Sequence, residues 1–336
     1  KAEGAKTIES LIILTFKVGF DDELDGIQMI KIPKYLITDR AAYSKMKSFN
    51  LAKMTQVKIV EDSSDYQQVL AACKKVIKDP STTAFNLMND PAIFITSQLA
   101  KDLGVPGYEH LDHIFNKNKA KILLEKHDLQ FPKYVVFDPE AYTLNTEKYL
   151  KQIEDQLSYP AFVKPIEGSL SEIAEKVDNR DQLKSLVETL NHSKGPYEID
   201  EYIEGAMYNV DTIIYNNKAI FTLVGRAINP FCQFMDGKNS GAYLVPENHP
   251  TYVKVKSFTD KAIEALYPVP NGSLNIELFE NKRGDLLFCE AQSRRSHLVI
   301  RMYKYLTNYD LEAECMKIQA GLEPEEFIAN TLIPHG

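Results

Sequence analysis

The stretch LNIELFENKRGDLLFCEAQSRRSH, residues 274–297, indicates more about the fold than any other part of the chain. Two runs rich in Leu, Ile and Phe flank the turn-forming segment NKRG, so the stretch predicts a β-hairpin. Each run also contains a glutamate, Glu277 in the first and Glu290 in the second. Strands that bury Leu and Ile rarely carry carboxylates. The surroundings of these two glutamates are therefore the first question about function.

The loop length sets the register of the predicted hairpin. With NKRG as a four-residue loop, Asn275 is expected opposite Glu290, and Glu277 opposite Phe288. Strand alternation then divides the hairpin into two faces. The apolar face holds Leu274, Ile276, Leu278, Leu287, Cys289 and Ala291. The polar face holds Asn275, Glu277, Glu290, Gln292 and Arg294.

The polar face has two interpretations. Two carboxylates about 5 Å apart repel each other by about 3 kcal/mol at an effective dielectric constant of about 20. On a solvated outer face, water and salt would screen this repulsion. Alternatively, a hard cation bridges the carboxylates and an amide oxygen, since ligand sets made only of oxygen suit magnesium. Arg294 would then be placed to bind a phosphate or a carboxylate.

Composition is that of a globular protein with two or three lobes. The chain has 336 residues and a net charge of −8, from 39 basic and 47 acidic residues. Without a basic excess, neither a nucleic-acid partner nor a membrane partner is expected. Four widely spaced cysteines without a CxxC pair indicate reduced thiols in a cytoplasmic protein. The apolar run LIILTF, residues 11–16, is too short to span a membrane and short for a signal-peptide core.

The first third of the chain alternates strands and helices. VKIVED at residues 57–62 and TAFNLM at residues 83–88 have the composition of strands. Asp90 and Pro91 are expected to cap and open a helix that ends at Gly104. This alternation predicts a parallel sheet covered by helices.

The pattern changes along the chain and divides it into three units. Residues 1–115 form the alternating unit, and residues 116–195 form a second one that begins with a lysine-rich helix. Residues 196–336 are dominated by hairpins, one of which turns at Asn216 and Asn217. The expected fold class is α/β, with two later lobes of the α+β type.

Three lysines begin the helix of the second unit. Lys117, Lys119 and Lys121 all lie in its predicted first turn, where the helix dipole disfavours cations. A nearby anion would remove this conflict, and a solvated basic turn is the alternative interpretation.

Lys164 lies inside the short apolar strand AFVKPI, where its amine requires a polar partner. Gly168 and Ser169 follow closely, and the backbone amides of such a segment could cover phosphates. Neither GxxxxGK[ST] nor GxGxxG occurs in the sequence, so no P-loop and no dinucleotide fingerprint is present.

In their order along the chain, these segments resemble the ATP-grasp superfamily of ligases. NKNKAKILLEKHDLQFP, from Asn116, resembles the first lysine-bearing helix of that superfamily, and YPAFVKP, ending at Pro165, resembles its second lysine strand. YEIDEYIEG, residues 197–205, is similar to the hinge that lies against adenine. LNIELF and FCEAQSRR resemble the two metal-binding strands. The resemblance covers roughly residues 116–295.

The resemblance implies an ATP-grasp fold, in which a parallel α/β lobe precedes two α+β lobes that sandwich ATP. The residues implied to bind ATP are Lys117, Lys121, Lys164, Gly168, Ser169, Asp200, Glu201 and Ile203. Those implied to hold magnesium, or manganese as the alternative ion, are Glu277, Glu290 and Gln292. Arg294 and Lys164 are the implied catalytic residues. The candidate substrate contacts are Arg226, Arg295 and His297.

The resemblance also implies an activity. An ATP-dependent ligase of this type would activate a small-molecule or peptide carboxylate as an acyl phosphate and join it to an amine, and family analogy points to a homodimer. The sequence departs from the family pattern at Gln292, where Asn is usual, at Gly168, which is the only glycine of its loop, and at Met207, where a ribose-binding Glu is usual. These departures keep open a nucleotide-binding regulatory or structural protein without ligase activity. A third alternative is a generic α/β binding protein whose polar hairpin face is only solvated.

Overall fold

The computed structural model describes residues 7–17, 24, 26–168, 174–190, 195–230, 241–296, 304, 306 and 309–324. Two predicted site residues, Ser169 and His297, lie outside the described residues. No helix in these ranges is both long enough and apolar enough to cross a lipid bilayer.

The N-terminal unit is built on a parallel four-stranded sheet, as the alternating pattern predicts. The strands have the order β3-β2-β1-β4, and they are β1 (Ser10–Thr15), β2 (Lys34–Asp39), β3 (Gln56–Val60) and β4 (Thr83–Asn86). The helices are α1 (Arg40–Tyr43), α2 (Ser48–Leu51), α3 (Tyr66–Lys74), α4 (Asp90–Leu103) and α5 (Asp112–Phe115). Leu11 to Leu14 of β1 are at most 1% exposed, because both faces of a parallel sheet are covered.

The start of α4 differs from the prediction by one residue. Asn89 is the N-cap residue, and Asp90 and Pro91 are the first two helical residues. The predicted cap at Asp90 is therefore wrong, and the carboxylate of Asp90 instead binds Arg294. The predicted end is confirmed, since Gly104 is the C-cap with a left-handed φ of 73°.

The central unit has a four-stranded antiparallel sheet of order β5-β8-β6-β7. Its strands are β5 (Tyr134–Val136), β6 (Ala161–Pro165), β7 (Glu175–Val177) and β8 (Tyr197–Glu201). Its helices are α7 (Pro139–Leu144), α8 (Thr146–Glu154) and α9 (Arg180–Thr189). Because β8 pairs with β5 and β6, this sheet continues past the expected boundary at residue 195.

The C-terminal unit has a five-stranded antiparallel sheet of order β11-β10-β9-β12-β13. Its strands are β9 (Gly205–Tyr215), β10 (Lys218–Ala227), β11 (Ala242–Leu244), β12 (Gly272–Asn281) and β13 (Leu286–Gln292). The predicted hairpin turn between β9 and β10 is confirmed, with Asn216 and Asn217 at φ of 51° and 61°. Three further helices are α6 (Lys117–Glu125), α10 (Pro250–Ala265) and α11 (Leu311–Gln319).

Helices α6 and α11 connect the units by packing. Ala120 and Leu124 of α6 belong to the core beneath the C-terminal sheet, although the sequence assigns this helix to the central unit. Helix α11 packs on the other face of the C-terminal sheet through Cys315. Its Met316 packs against Leu11 of the N-terminal sheet. Both helices therefore position the sheets relative to one another.

The predicted hairpin exists, but its predicted register is wrong. Glu280 pairs with Leu286, so the loop is one residue longer than NKRG. A bulge at Cys289 adds a second one-residue shift, after which Glu277 lies directly opposite Glu290. Two shifts of one residue restore the original face of the side chains, because strand alternation has a period of two. Glu277 and Glu290 therefore share one face, as predicted. Phe288, which was expected opposite Glu277, lies opposite Leu278 on the other face.

Candidate active site

Two rows of polar side chains cross three neighbouring strands on one face of the C-terminal sheet. The pairings of β9, β12 and β13 define the rows. The first row consists of Asp211, Asn275 and Gln292, and the second of Asn209, Glu277 and Glu290. The face is not fully solvated, since Asn275 is 2% and Gln292 is 1% exposed and both glutamates are half-buried. The interpretation of the hairpin as an ordinary surface element is therefore wrong.

The two opposed glutamates have different electrostatic surroundings. Burial and the neighbouring Glu290 raise the pKa of Glu277 to about 8. Burial alone would also raise the pKa of Glu290, but the ammonium of Lys117 outweighs it and the pKa lies below its usual value. Lys117 Nζ is 2.9 Å from Glu290 Oε2. Without a ligand, Glu277 therefore keeps its proton more readily than an ordinary glutamate, while Glu290 is ion-paired with Lys117.

Gln292 completes a set of oxygen donors at the same place. Both its amide atoms are buried and have no hydrogen-bond partner among the described residues. Leaving a buried polar group unpaired costs about 1–3 kcal/mol, so a ligand for this amide is expected. In the described part of the chain, no group of three or more His, Cys, Asp or Glu residues could hold a metal ion. Two carboxylates and an amide oxygen still fit magnesium, which usually keeps several water or phosphate oxygens in its shell.

Lys164 and Lys121 share two buried carboxylates on β8. Lys164 Nζ lies 2.8 Å from Asp200 and 3.4 Å from Glu198, and Lys121 Nζ lies 3.1 Å and 3.0 Å from the same two residues. Burial lowers the pKa of Lys164, but Asp200 and the other nearby acidic groups raise it well above its usual value. The side chain of Lys121 is completely buried. The resemblance implied that the side chains of Lys121 and Asp200 contact ATP. That implication conflicts with the structure, because both side chains are buried in these ion pairs.

Each of the three lysines of α6 forms an ion pair with a carboxylate of the protein. Lys117 pairs with Glu290, Lys119 with Asp112, and Lys121 with the carboxylates of β8. The conflict with the helix dipole is therefore offset by carboxylates. The alternative of a solvated basic turn holds only for Lys119, whose side chain is 53% exposed.

The segment after β6 is tied to the start of α6. Asn116 caps α6 by accepting from Lys119 N at 2.9 Å, and its Nδ2 donates to Glu167 Oε1 at 2.5 Å. Gly168 has a φ of 152°, and a Cβ there would lie 3.2 Å from Pro165 Cγ. Glycine is therefore required at the point where the predicted phosphate-covering segment begins.

The predicted adenine hinge connects the central and C-terminal sheets. Glu201 N donates to Lys133 O at 2.8 Å, and Tyr202 N donates to Pro160 O at 3.2 Å. Ile203 follows in the half-buried link to β9. Met207, at the position where the family usually has Glu, is 5% exposed in β9.

Arg294 is held by a residue that sequence reasoning missed. Its Nη2 donates to Asp90 Oδ2 at 2.9 Å, its Nε donates to the other oxygen of the same carboxylate, and its Nη1 donates to Arg295 O at 3.0 Å. Arg294 also interacts electrostatically with Glu277 and Glu290. No local signal pairs residues so far apart in sequence.

The two described candidate substrate residues are held away from the paired carboxylates. Arg295 is 2% exposed and its Nε donates to Glu312 of α11, so its guanidinium is held within the protein. Arg226 pairs with Tyr208 in the sheet and interacts with Glu280, which places it on the opposite face from Glu277. Both candidate assignments thus conflict with the geometry, because strand alternation and a buried ion pair direct these side chains elsewhere.

A buried network next to the carboxylates was also missed. Asp211 accepts from Ser296 N at 2.6 Å and from Asn275 Nδ2 at 3.2 Å, and Asn209 Nδ2 donates to Ser296 Oγ at 2.9 Å. Burial raises the pKa of Asp211 to about 6. The signal was present in the sequence, since Asn209 and Asp211 alternate with apolar residues in a predicted strand. Their network fixes the segment that carries Arg294.

A parallel α/β unit followed by two antiparallel sheets, with paired carboxylates and lysines between them, defines an ATP-grasp protein. Residues 123–294, just over half of the chain, match the family model described as D-ala D-ala ligase C-terminus. The chain belongs to this family.

Individual relatives agree with this assignment. The chain is 26% identical over 199 residues to the D-alanine–D-alanine ligase of Acetivibrio thermocellus. The aligned region covers 57% of this chain and 52% of that protein. The chain thus spans about half the length of the curated relatives it matches.

Solved structures resemble almost the whole chain. The L-amino acid ligase from Bacillus licheniformis has a TM-score of 0.70 at 19% identity, over 97% of this chain and 77% of that one. The ADP complex of N5-carboxyaminoimidazole ribonucleotide synthetase has a TM-score of 0.70 at 14% identity, over 98% and 81%. At such identities the structures establish a shared fold, and they confirm the expected ATP-grasp architecture.

Proposed function

We propose that the protein is an ATP-dependent ligase that activates a carboxylate as an acyl phosphate and joins it to an amine. One observation carries the proposal: Glu277 lies opposite Glu290, beside the unpartnered amide of Gln292, and Lys117 and Lys164 interact with both carboxylates. This combination of cations and oxygen donors suits the phosphates of ATP and a divalent ion.

The residues of the chain would contribute charge and position more than covalent chemistry. Glu277, Glu290 and Gln292 would hold magnesium, or manganese, which when bound neutralises charge on the phosphates. Lys117 and Lys164 would bind the phosphates, and the backbone at Gly168 would cover them. The backbone at Glu201 and Ile203 would meet adenine.

The reaction has two steps. An oxygen of the substrate carboxylate attacks the γ-phosphorus, the bond to ADP breaks, and an acyl phosphate forms. The amine then attacks the acyl carbon, phosphate leaves, and the nitrogen loses a proton to water or a nearby base. Arg294 has five N–H donors, of which three are engaged by described residues, and the other two would serve the transferring phosphoryl group.

The relatives suggest which substrates to test first. Most of the matching curated proteins are D-alanine–D-alanine ligases, another is an alpha-aminoadipate–LysW ligase, and a similar structure is an L-amino acid ligase. We therefore propose amino acids or short peptides as carboxylate and amine substrates.

The test is a screen of amino acids, singly and in pairs, for release of ADP and phosphate from ATP with magnesium. We expect at least one pair to stimulate release and to yield a ligated product of matching mass. Glu277→Gln and Glu290→Gln should lower kcat at least about 100-fold, because each removes a carboxylate that would hold the metal ion. Glu280→Gln is the matched control, since Glu280 lies on the same strand but binds Tyr208 and Lys254.

Two results would contradict the proposal in different ways. ATP binding without release by any substrate would favour a nucleotide-binding protein without ligase activity, an alternative that the buried Met207 supports. A Glu290→Gln variant that turns over like the parent would contradict the metal assignment alone.

A further inference from the structure

Lys121 has no exposed surface through which it could touch a ligand. Its ammonium lies between Glu198 and Asp200 on one side and the ring of Tyr134 on the other, 4.0 Å from the ring centre. Tyr134 is itself held by a hydrogen bond of 2.7 Å from its hydroxyl to Asn118 Oδ1. The lysine is therefore enclosed by protein on every side that the structure describes.

Lys164 forms ion pairs with the same two carboxylates. It retains 8% exposure and interacts electrostatically with Glu277 and Glu290, so it faces the polar rows. Glu198 Oε1 forms ion pairs with both ammonium groups, at 3.0 Å from Lys121 Nζ and 3.4 Å from Lys164 Nζ. Two lysines and two carboxylates together carry no net charge.

We propose that Lys121 is a positioning residue that neutralises Glu198 and Asp200, so that Lys164 remains available to the phosphates of a nucleotide. The inference rests on the nucleotide-binding part of the proposed function. Without Lys121, the remaining three groups carry one net negative charge. That charge would hold Lys164 more tightly and would oppose phosphates through a medium of low dielectric constant.

The experiment measures the affinity for ADP in the presence of magnesium by calorimetry, which requires no turnover. Lys121→Met should weaken binding at least about tenfold, although the residue touches no ligand. The double variant Lys121→Met/Glu198→Gln restores a net charge of zero and should bind within about threefold of the parent. Glu198→Gln alone leaves one excess positive charge and should bind at least as tightly as the parent.

Lys119→Met serves as the matched control. Lys119 lies on the same helix and pairs with Asp112, but both side chains are exposed by more than a third. Water screens this pair, so the variant should bind ADP like the parent.

A purely structural role predicts a different order of affinities. The double variant loses more hydrogen bonds than Lys121→Met, so on that basis it should bind no better, and this result would overturn the proposal. Parental affinity in a folded Lys121→Met variant would also overturn it. If Lys121→Met does not fold, the Glu198→Gln variant provides the test, and weaker ADP binding by it than by the parent would overturn the proposal. Failure of the parent itself to bind ADP would instead contradict the proposed function.

Discussion

The hydrogen bonds to Asp211 and its burial have opposite effects on the pKa of its carboxyl group. The N–H of Ser296 and the amide of Asn275 favour its charged form. Burial outweighs them and raises the pKa to about 6 from the ordinary 3.8. Asp211, which contacts the segment that carries Arg294, therefore keeps its proton to a higher pH than an ordinary aspartate does.

Replacement of Asp211 by Asn should change how stability depends on pH. Between about pH 4 and 6, folded Asp211 retains a proton that the unfolded chain has lost, so the free energy of unfolding falls as pH rises. Asp211→Asn lacks this titration. Its free energy of unfolding relative to the parent should rise by up to about 3 kcal/mol across that window and stay constant above it. Urea denaturation at pH 4, 5, 6 and 7 measures the difference, and parallel profiles would contradict the assignment.

At the scale of elements, sequence predicted the existence of strands and helices better than their exact pairing. The β9–β10 turn was predictable because Asn216 and Asn217 tolerate positive φ. The β12–β13 register was not, because a bulge at Cys289 follows from tertiary packing and has no local signature. Membership of β8 in the central sheet was missed for a similar reason, since it depends on pairing with β5 and β6.

The N-cap of α6 connects an element boundary to the site. Asn116→Ala should cost about 1 kcal/mol of stability, the usual worth of a cap, and should also release Glu167. Because Glu167 precedes Gly168, affinity for ADP with magnesium should fall several-fold under the proposed function. Calorimetry and urea denaturation measure the two effects.

Asn145→Ala is the matched control for this prediction. Asn145 caps α8 by accepting from Lys148 N at 3.0 Å, and α8 lies against the core of the central unit. The control should lose similar stability and keep its affinity for ADP. Equal loss of affinity in both variants would show that the effect of Asn116 is only on folding.

At the scale of the whole molecule, the N-terminal unit contacts the candidate site. Asp90, at the start of α4, binds Arg294, and Gln319 of α11 accepts from Asn86 Nδ2 at 2.8 Å at the end of β4. The sequence indicated the composition of each unit but not these contacts. Each joins residues more than 200 positions apart, and nothing in local spacing pairs them.

The Asp90–Arg294 pair should behave as a buried ion pair between units. Asp90→Ala leaves a guanidinium of 11% side-chain exposure without its carboxylate, which should cost about 3–5 kcal/mol. Asp90→Ala/Arg294→Met removes the unpaired charge as well and should recover most of that loss, because an apolar side chain of similar length can fill the space. Glu61→Ala, which breaks the exposed pair with Arg40, should change stability far less because water already screens that pair. Urea denaturation of the four proteins tests this order. A double variant as unstable as Asp90→Ala would mean that Asp90 stabilises the contact between units through groups other than Arg294.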